Sequence, residues 1–121
     1  MATTKEMLDK ILSDLESAGG VDLSAVVSRH GLLMVSTESG TLSSEAFAAL
    51  TATLYMSAES TTTRLSQEIP KSIIVETGTK HVITVEAGPK ALLVVLADSA
   101  GSLGLILNDM KTASQKIANI L

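Results

Sequence analysis

Apolar positions recur at two spacings along the chain, and the switches between them mark out eight elements. Thr4–Ser17 sets Met7, Leu8, Ile11, Leu12 and Leu15 on one face of a 3.6-residue period, which predicts an amphipathic helix. Thr3 and Glu6 have the spacing of a reciprocal N-terminal cap, and Ala18-Gly19-Gly20 supplies a left-handed residue to close the helix. The period then falls to two. Val21–Ser28 alternates Val21, Leu23, Ala25 and Val27, residues 32–36 return, and Arg29-His30-Gly31 makes the tight turn, with Gly31 where positive φ is needed. A polar loop over 37–44 leads to a long helix over 44–67, with Ser43 or Ser44 as N-cap and Glu45 in the first turn. Ile69-Pro70-Lys71 stops it. Strands follow at 72–77, 81–87 and 91–97, joined by Gly78-Thr79-Lys80 and Gly88-Pro89-Lys90, turns so short that the strands form an antiparallel meander. The last of them is apolar almost throughout and reads as a central strand buried on both faces. A final helix over 102–121 carries the stripe Leu103, Ile106, Leu107, Met110, Ala113, Ile117 and Ile120.

The order α–β–β–α–β–β–β–α predicts an α+β fold: a five-stranded antiparallel sheet with helices on its faces, in one domain spanning 1–121. No linker, repeat or low-complexity tract interrupts it.

The long helix departs from the usual pattern. Phe47, Leu50, Leu54, Ala58, Thr61 and Leu65 make one stripe, and Ala49, Ala52, Thr53, Met56, Ser60 and Thr63 make a second. Glu59 and Arg64 are nearly alone as charges in its interior, whereas a solvated face carries far more. Both sides are therefore expected to be covered, one by the chain's own sheet and the other by a neighbour approaching over the small residues.

Composition supports that expectation. The chain is 45% hydrophobic and 18% charged, with a mean hydropathy of +0.37, which is apolar for a small soluble protein. No apolar run approaches the roughly 20 residues of a membrane span, so the excess points to burial against a second copy. One Phe and one Tyr are the only aromatics, which leaves the core to Leu, Ile, Val, Ala and Met. A net charge of −4, with no basic cluster, argues against nucleic acid as a partner. The absence of cysteine removes disulfides, thiolate nucleophiles and Cys-based metal sites, and favours a cytoplasmic setting. The N-terminal helix carries Glu6 and Asp9 within its apolar pattern, unlike a signal peptide.

Candidate chemistry is sparse. The stretch ALLVVLADSAGSLGLIL, residues 91–107, reads as strand, glycine turn and helix, the arrangement that cradles a phosphate. It has neither the Gly-Lys-Ser/Thr ending of a phosphate loop nor the three spaced glycines of a dinucleotide site, and no strand follows to complete a βαβ unit. The turn is better explained by Asp98, Ser99 and Ser102 as helix caps, with Gly101 turning the chain and Gly104 allowing close packing. His30 and His81 lie at no ligand spacing, and a cross-strand pair of His81 with Glu76 is not a catalytic constellation. Glu6, Asp9, Asp14 and Glu16 read as a solvated face, Glu76 and Glu86 as strand residues facing water. Arg64 and Lys71 bracket the end of the long helix as surface charges or as the border of a partner surface. No cofactor or metal is expected. A small-molecule-sensing α+β domain is the competing reading, and the scarcity of aromatics tells against a ligand cage.

The element order, the ending LLVVLADSAGSLGLILNDMKTASQKIANIL with Leu103-Gly104 after a polar turn, the hairpin glycine Gly31 before Leu32-Leu33, and the long low-charge helix together resemble the Roadblock/LC7 family. This chain has Ser102 where the family often has an acidic residue or Asn. The resemblance implies a non-enzymatic, cytoplasmic homodimer in which third strands pair edge to edge and second helices pack antiparallel. Such domains regulate or scaffold Ras-like small GTPases, act as bacterial polarity-switch co-regulators, or serve as dynein light chains. The interface it implies combines Ala49, Ala52, Thr53, Met56, Ser60 and Thr63 with the strand Ser72, Ile73, Ile74, Val75, Glu76 and Thr77.

Overall fold

In a computed structural model, residues 1–17, 19–37 and 44–121 are described. The elements are α1 (Thr4–Ser17), β1 (Val21–Ser28), β2 (Leu33–Ser36), α2 (Ser44–Ser66), β3 (Ile73–Glu76), β4 (Lys80–Glu86), β5 (Ala91–Asp98) and α3 (Leu103–Ile120). They form one antiparallel sheet in the order β2-β1-β5-β4-β3. The α+β order and the central place of the apolar strand are as the periodicities predict. β5 runs from Ala91 opposite Ser28 to Ala97 opposite Val21 on one side, and from Leu92 opposite Glu86 to Asp98 opposite Lys80 on the other.

Strand alternation sorts the core into two faces. On one face Leu8, Ile11, Leu12 and Leu15 of α1 and Ile106, Met110, Ala113 and Ile117 of α3 close over Val26, Ile83, Val85, Leu93 and Val95. On the other, Ala48 of α2 meets Val27 and Val94, with Phe47, Leu33 and Val82 packed around them. The layers are thus two helices, the sheet, and one helix.

The local signals behave as physics requires. Thr3 Oγ1 accepts from the Glu6 amide at 3.1 Å while Glu6 accepts from the Thr3 amide at 3.3 Å, the reciprocal cap. Ser102 caps α3 by accepting from Leu105 N–H. Gly31 has φ +92°, and a Cβ there would stand 3.2 Å from the Ala49 backbone, so turn and α2 meet closely where a side chain on the turn would crowd the helix. Gly104 differs from expectation: space opens around it, and the tight position is Gly101, where a Cβ would lie 3.3 Å from the Asp98 carbonyl. Ala18, the loop over 38–43 and the Ser43 cap lie outside the described residues.

A half-buried polar clamp fixes α2 on the sheet. Arg29, just past β1, places Nη2 2.7 Å from Glu86 Oε2 and Nη1 3.5 Å from Glu59 Oε2. Its guanidinium lies over the Tyr55 ring, 5.1 Å from the centroid, and the Tyr55 hydroxyl donates to Glu86 at 3.0 Å. Glu86 therefore does not face water as the strand pattern suggests. Glu16 also departs from a solvated role, since its carboxylate accepts from the hydroxyls of Thr37 and Ser24. Burial opposes the charge on Arg29, but Glu86, Tyr55 and Glu59 outweigh it and its pKa is raised. Burial, then the bond to Glu86, pushes Tyr55 up to about 12.

This packing can be tested at the core and at the clamp. Leu93→Ala, at the fully buried centre of the sheet, is expected to cost about 3 kcal/mol in urea unfolding. Tyr55 is the sole tyrosine in a chain without tryptophan, so phenolate absorbance reports it alone. Its midpoint should lie near about 12 in the folded protein and near about 10 in the unfolded chain. Because the folded pKa is the higher, this contribution to stability is intact below about pH 10 and is lost as pH rises towards about 12. A folded-state midpoint of about 10 would mean that Tyr55 is neither buried nor bonded to Glu86 as the structure has it.

Candidate functional site

The most unusual surface belongs to α2 and β3. The buried positions of α2 are Ala48, Thr51, Ala52 and Tyr55, a narrow stripe at i, i+3, i+4 and i+7. Two exposed flanks border it. One carries Leu50, Leu54, Thr61 and Leu65, its leucines 69%, 39% and 83% exposed. The other carries Ala49, Thr53, Met56, Ser60 and Thr63, next to the β1–β2 turn at Ala49.

This reverses part of the sequence expectation. The leucine stripe, expected on the chain's own sheet, is bare. Ala52, counted with the outward small residues, is only 3% exposed and packs inward. Gly31 explains the rotation. An added Cβ there would lie 3.7 Å from Ala52 Cβ as well as 3.2 Å from Ala49 Cα, so only small side chains fit between turn and helix. Tyr55 then locks that rotation through Glu86.

Hydroxyls on the helix make its surface less polar than its sequence suggests. Thr53, Thr61 and Ser66 donate to the carbonyls of Ala49, Ser57 and Thr62 at 2.9, 2.8 and 3.0 Å. Bonded back onto their own helix, these threonines present methyl groups outward.

β3 is an edge strand, bonded among the described residues to β4 alone. By register, Ile73 and Val75 share the α2 face with Thr84 and Val82, whereas Ile74 and Glu76 share the α3 face with Ile83 and His81. Ile74 and Val75 are 39% and 38% exposed. The Thr77 amide donates to the Lys80 carbonyl. Bonding alternates along an antiparallel ladder, so the amides and carbonyls of Ile74 and Glu76 point to the open edge. An open edge with apolar residues on both faces invites another strand.

Elsewhere the chemistry is structural. Lys80 bonds Asp22 and lies 3.9 Å from Asp98, tying the starts of β4 and β1 to the end of β5. Its bond to Asp22 is the main cause of its raised pKa. His30 is exposed and His81 half-buried. Among the described residues no three His, Asp or Glu side chains converge on a metal-sized site, and no helix is long and apolar enough to cross a membrane. The Arg29–Glu59–Glu86–Tyr55 cluster was not legible in the sequence, because its members are 26 or more residues apart except for Tyr55 and Glu59. The i, i+4 spacing of that pair on a helix whose other charges, Glu45 and Arg64, sit in its first and last turns was its one available signal.

Comparison with known proteins agrees with this geometry. The family model for the Roadblock/LC7 domain matches residues 7–97. The uncharacterized protein MJ1340 of Methanocaldococcus jannaschii is 32% identical over 92% of this chain and 96% of its own length. The gliding protein MglB of Thermus thermophilus superimposes with a TM-score of 0.88 at 20% identity, covering 99% of this chain and 92% of that one. A Roadblock/LC7 domain of Streptomyces avermitilis gives 0.85 at 20% identity, covering 92% and 94%. With its sheet order, its single helix on one face and its open third strand, the chain belongs to the Roadblock/LC7 family.

Proposed function

We propose that this protein is a non-catalytic homodimeric module of the cytoplasm that regulates or scaffolds a Ras-like small GTPase. The carrying observation is that the leucine flank of α2 and the free edge of β3 are bare in one chain. A second copy offers the same two features in return, as a two-fold interface requires. The interface then takes its strand from Ser72, Ile73, Ile74, Val75, Glu76 and Thr77. Its helix contribution is the exposed face of α2, including Ala49, Thr53, Met56, Ser60 and Thr63 but led by Leu50, Leu54 and Leu65. Ala52 serves the fold of its own subunit.

Two paired chains would carry their α2 helices side by side on one face of a continuous sheet. That gives a broad, low-charge platform for a protein partner. The GTPase as partner rests on membership of the family and on the resemblance of solved relatives, two of which bear the names MglB and MglC. No arginine is assigned to catalysis in the partner: Arg29 is held by Glu59 and Glu86, and nothing singles out Arg64.

Light scattering after gel filtration, across a dilution series, should give twice the 12.5 kDa chain mass at micromolar concentration. Leu54→Glu should raise the dissociation constant at least about tenfold, a change of about 1.4 kcal/mol, and by more than Met56→Glu does. A monomer at every concentration sinks the dimer, and a dimer indifferent to both changes removes α2 from its interface. For the partner, purified Ras-like GTPases of the same organism should bind the dimer with different affinities in their GDP and GTP-analogue forms. Absence of binding in either form for all of them would remove the GTPase reading.

A further inference from the structure

We infer that two copies pair through β3 in one register, with Ile74 facing Ile74 across the two-fold axis, and that Glu76 of each copy enters a lysine-rimmed cavity on the other. The inference rests on the homodimer proposed above and specifies how it is held.

Symmetry narrows the choice. A two-fold axis normal to the sheet keeps every side chain on its own face, so residues facing each other across the axis are an even number apart. The axis must then lie between the two strands at the level of one residue, which faces its own copy. At Glu76 it sets two carboxylates against each other. At Val75 it sets Glu76 against Ile74. At Ile73 it leaves Ile74 opposite Ser72 and Val75 opposite Lys71. At Ile74 every pairing is matched: Ile74 with itself on the α3 face, Val75 with Ile73 on the α2 face, and Glu76 with Ser72. Matched apolar pairs stabilise a ladder and mismatched charges weaken it. The outward amides and carbonyls of Ile74 and Glu76 suit this register, since facing residues in it exchange both bonds.

Charge decides the rest. Ser72 lines a cavity of about 410 Å³ between the start of β3 and α3, with Leu107 on its wall and Lys71 and Lys111 around it. Neither lysine forms an ion pair among the described residues, and neither does Glu76. Glu86, which also lines the cavity, is already held by Arg29 and Tyr55. Glu76 faces the α3 side of the sheet. Placed opposite Ser72 of the second copy, its carboxylate reaches the mouth of that cavity, where two unpaired ammonium groups await an anion. The two-fold axis makes the exchange reciprocal, so each dimer holds the arrangement twice.

The chain has no cysteine, so single cysteines report pairing without background. Under mild oxidation Ile74→Cys should give a covalent dimer, because facing residues on antiparallel strands lie within disulfide reach. Val75→Cys, which faces Ile73, should remain uncoupled. Glu76→Lys and Lys111→Glu should each raise the dimer dissociation constant about tenfold, and the double exchange should return it to within about threefold of the parent. Cross-linking at Val75 in place of Ile74, or a double exchange no better than the singles, overturns this register while the parent dimer remains. A parent chain that is monomeric overturns the dimer itself, and this inference with it.

Discussion

One helix cannot cover a five-stranded sheet. Strands about 4.8 Å apart make a surface roughly 24 Å across, and a helix with its side chains spans about 10 Å. On one face the problem is solved by two helices, and Ile83, Leu93 and Val95 beneath α1 and α3 are fully buried. On the other face α2 is the one helix among the described residues. It seals Val27, Leu92 and Val94, while Val82 and Leu96 stay half-buried and Val75 is open to water. The missing layer accounts for the bare leucines of α2 and for the uncovered apolar side of β3.

How α2 uses its limited reach is set by small residues and one polar clamp. Gly31 lets the hairpin turn press against Ala49 and Ala52, which turns the leucines aside. Arg29 then joins Glu59 of the helix to Glu86 of β4, with Tyr55 stacked beneath its guanidinium. Removing either carboxylate from such a half-buried group would leave charge without its partner, and a cluster of this kind is more costly to break than to replace whole. Its Nε finds no acceptor among the described residues, and the two carboxylate contacts and the ring hold the geometry. Rotation of α2 is fixed, and with it the face offered outward.

Much of this is legible in the sequence. The period of the apolar residues places all eight elements, because amphipathic helices and alternating strands leave direct marks on a chain. The fully apolar β5 announces its central position. The low charge of α2 sets it apart from an ordinary surface helix, but does not tell which flank meets the chain's own sheet. Leu50, Leu54 and Leu65 look like core residues on hydrophobicity alone, and Ala48, Thr51 and Ala52 do not. What decides between them is the distance between α2 and the turn at Gly31, a property of tertiary packing that leaves little trace in local pattern. Glu86 escapes the pattern for a similar reason: alternation along β4 tells which face a residue occupies, not that Arg29 waits there. The edge at β3 is legible too: short turns make β3, β4 and β5 a meander, and a central β5 leaves β3 at the rim.

The central claim is that the open edge of β3 is closed by a second copy. Amide hydrogen exchange, read residue by residue over a range of protein concentrations, tests it most directly. The amides of Ile74 and Glu76 point away from β4 and have no bonding partner among the described residues of one chain, so they report what lies beyond the edge. Both should exchange fast in dilute solution and become protected as concentration rises, while the Val75 amide, bonded to β4, is protected throughout. Fast exchange at Ile74 and Glu76 at every concentration, with the rest of the sheet protected, would contradict the claim.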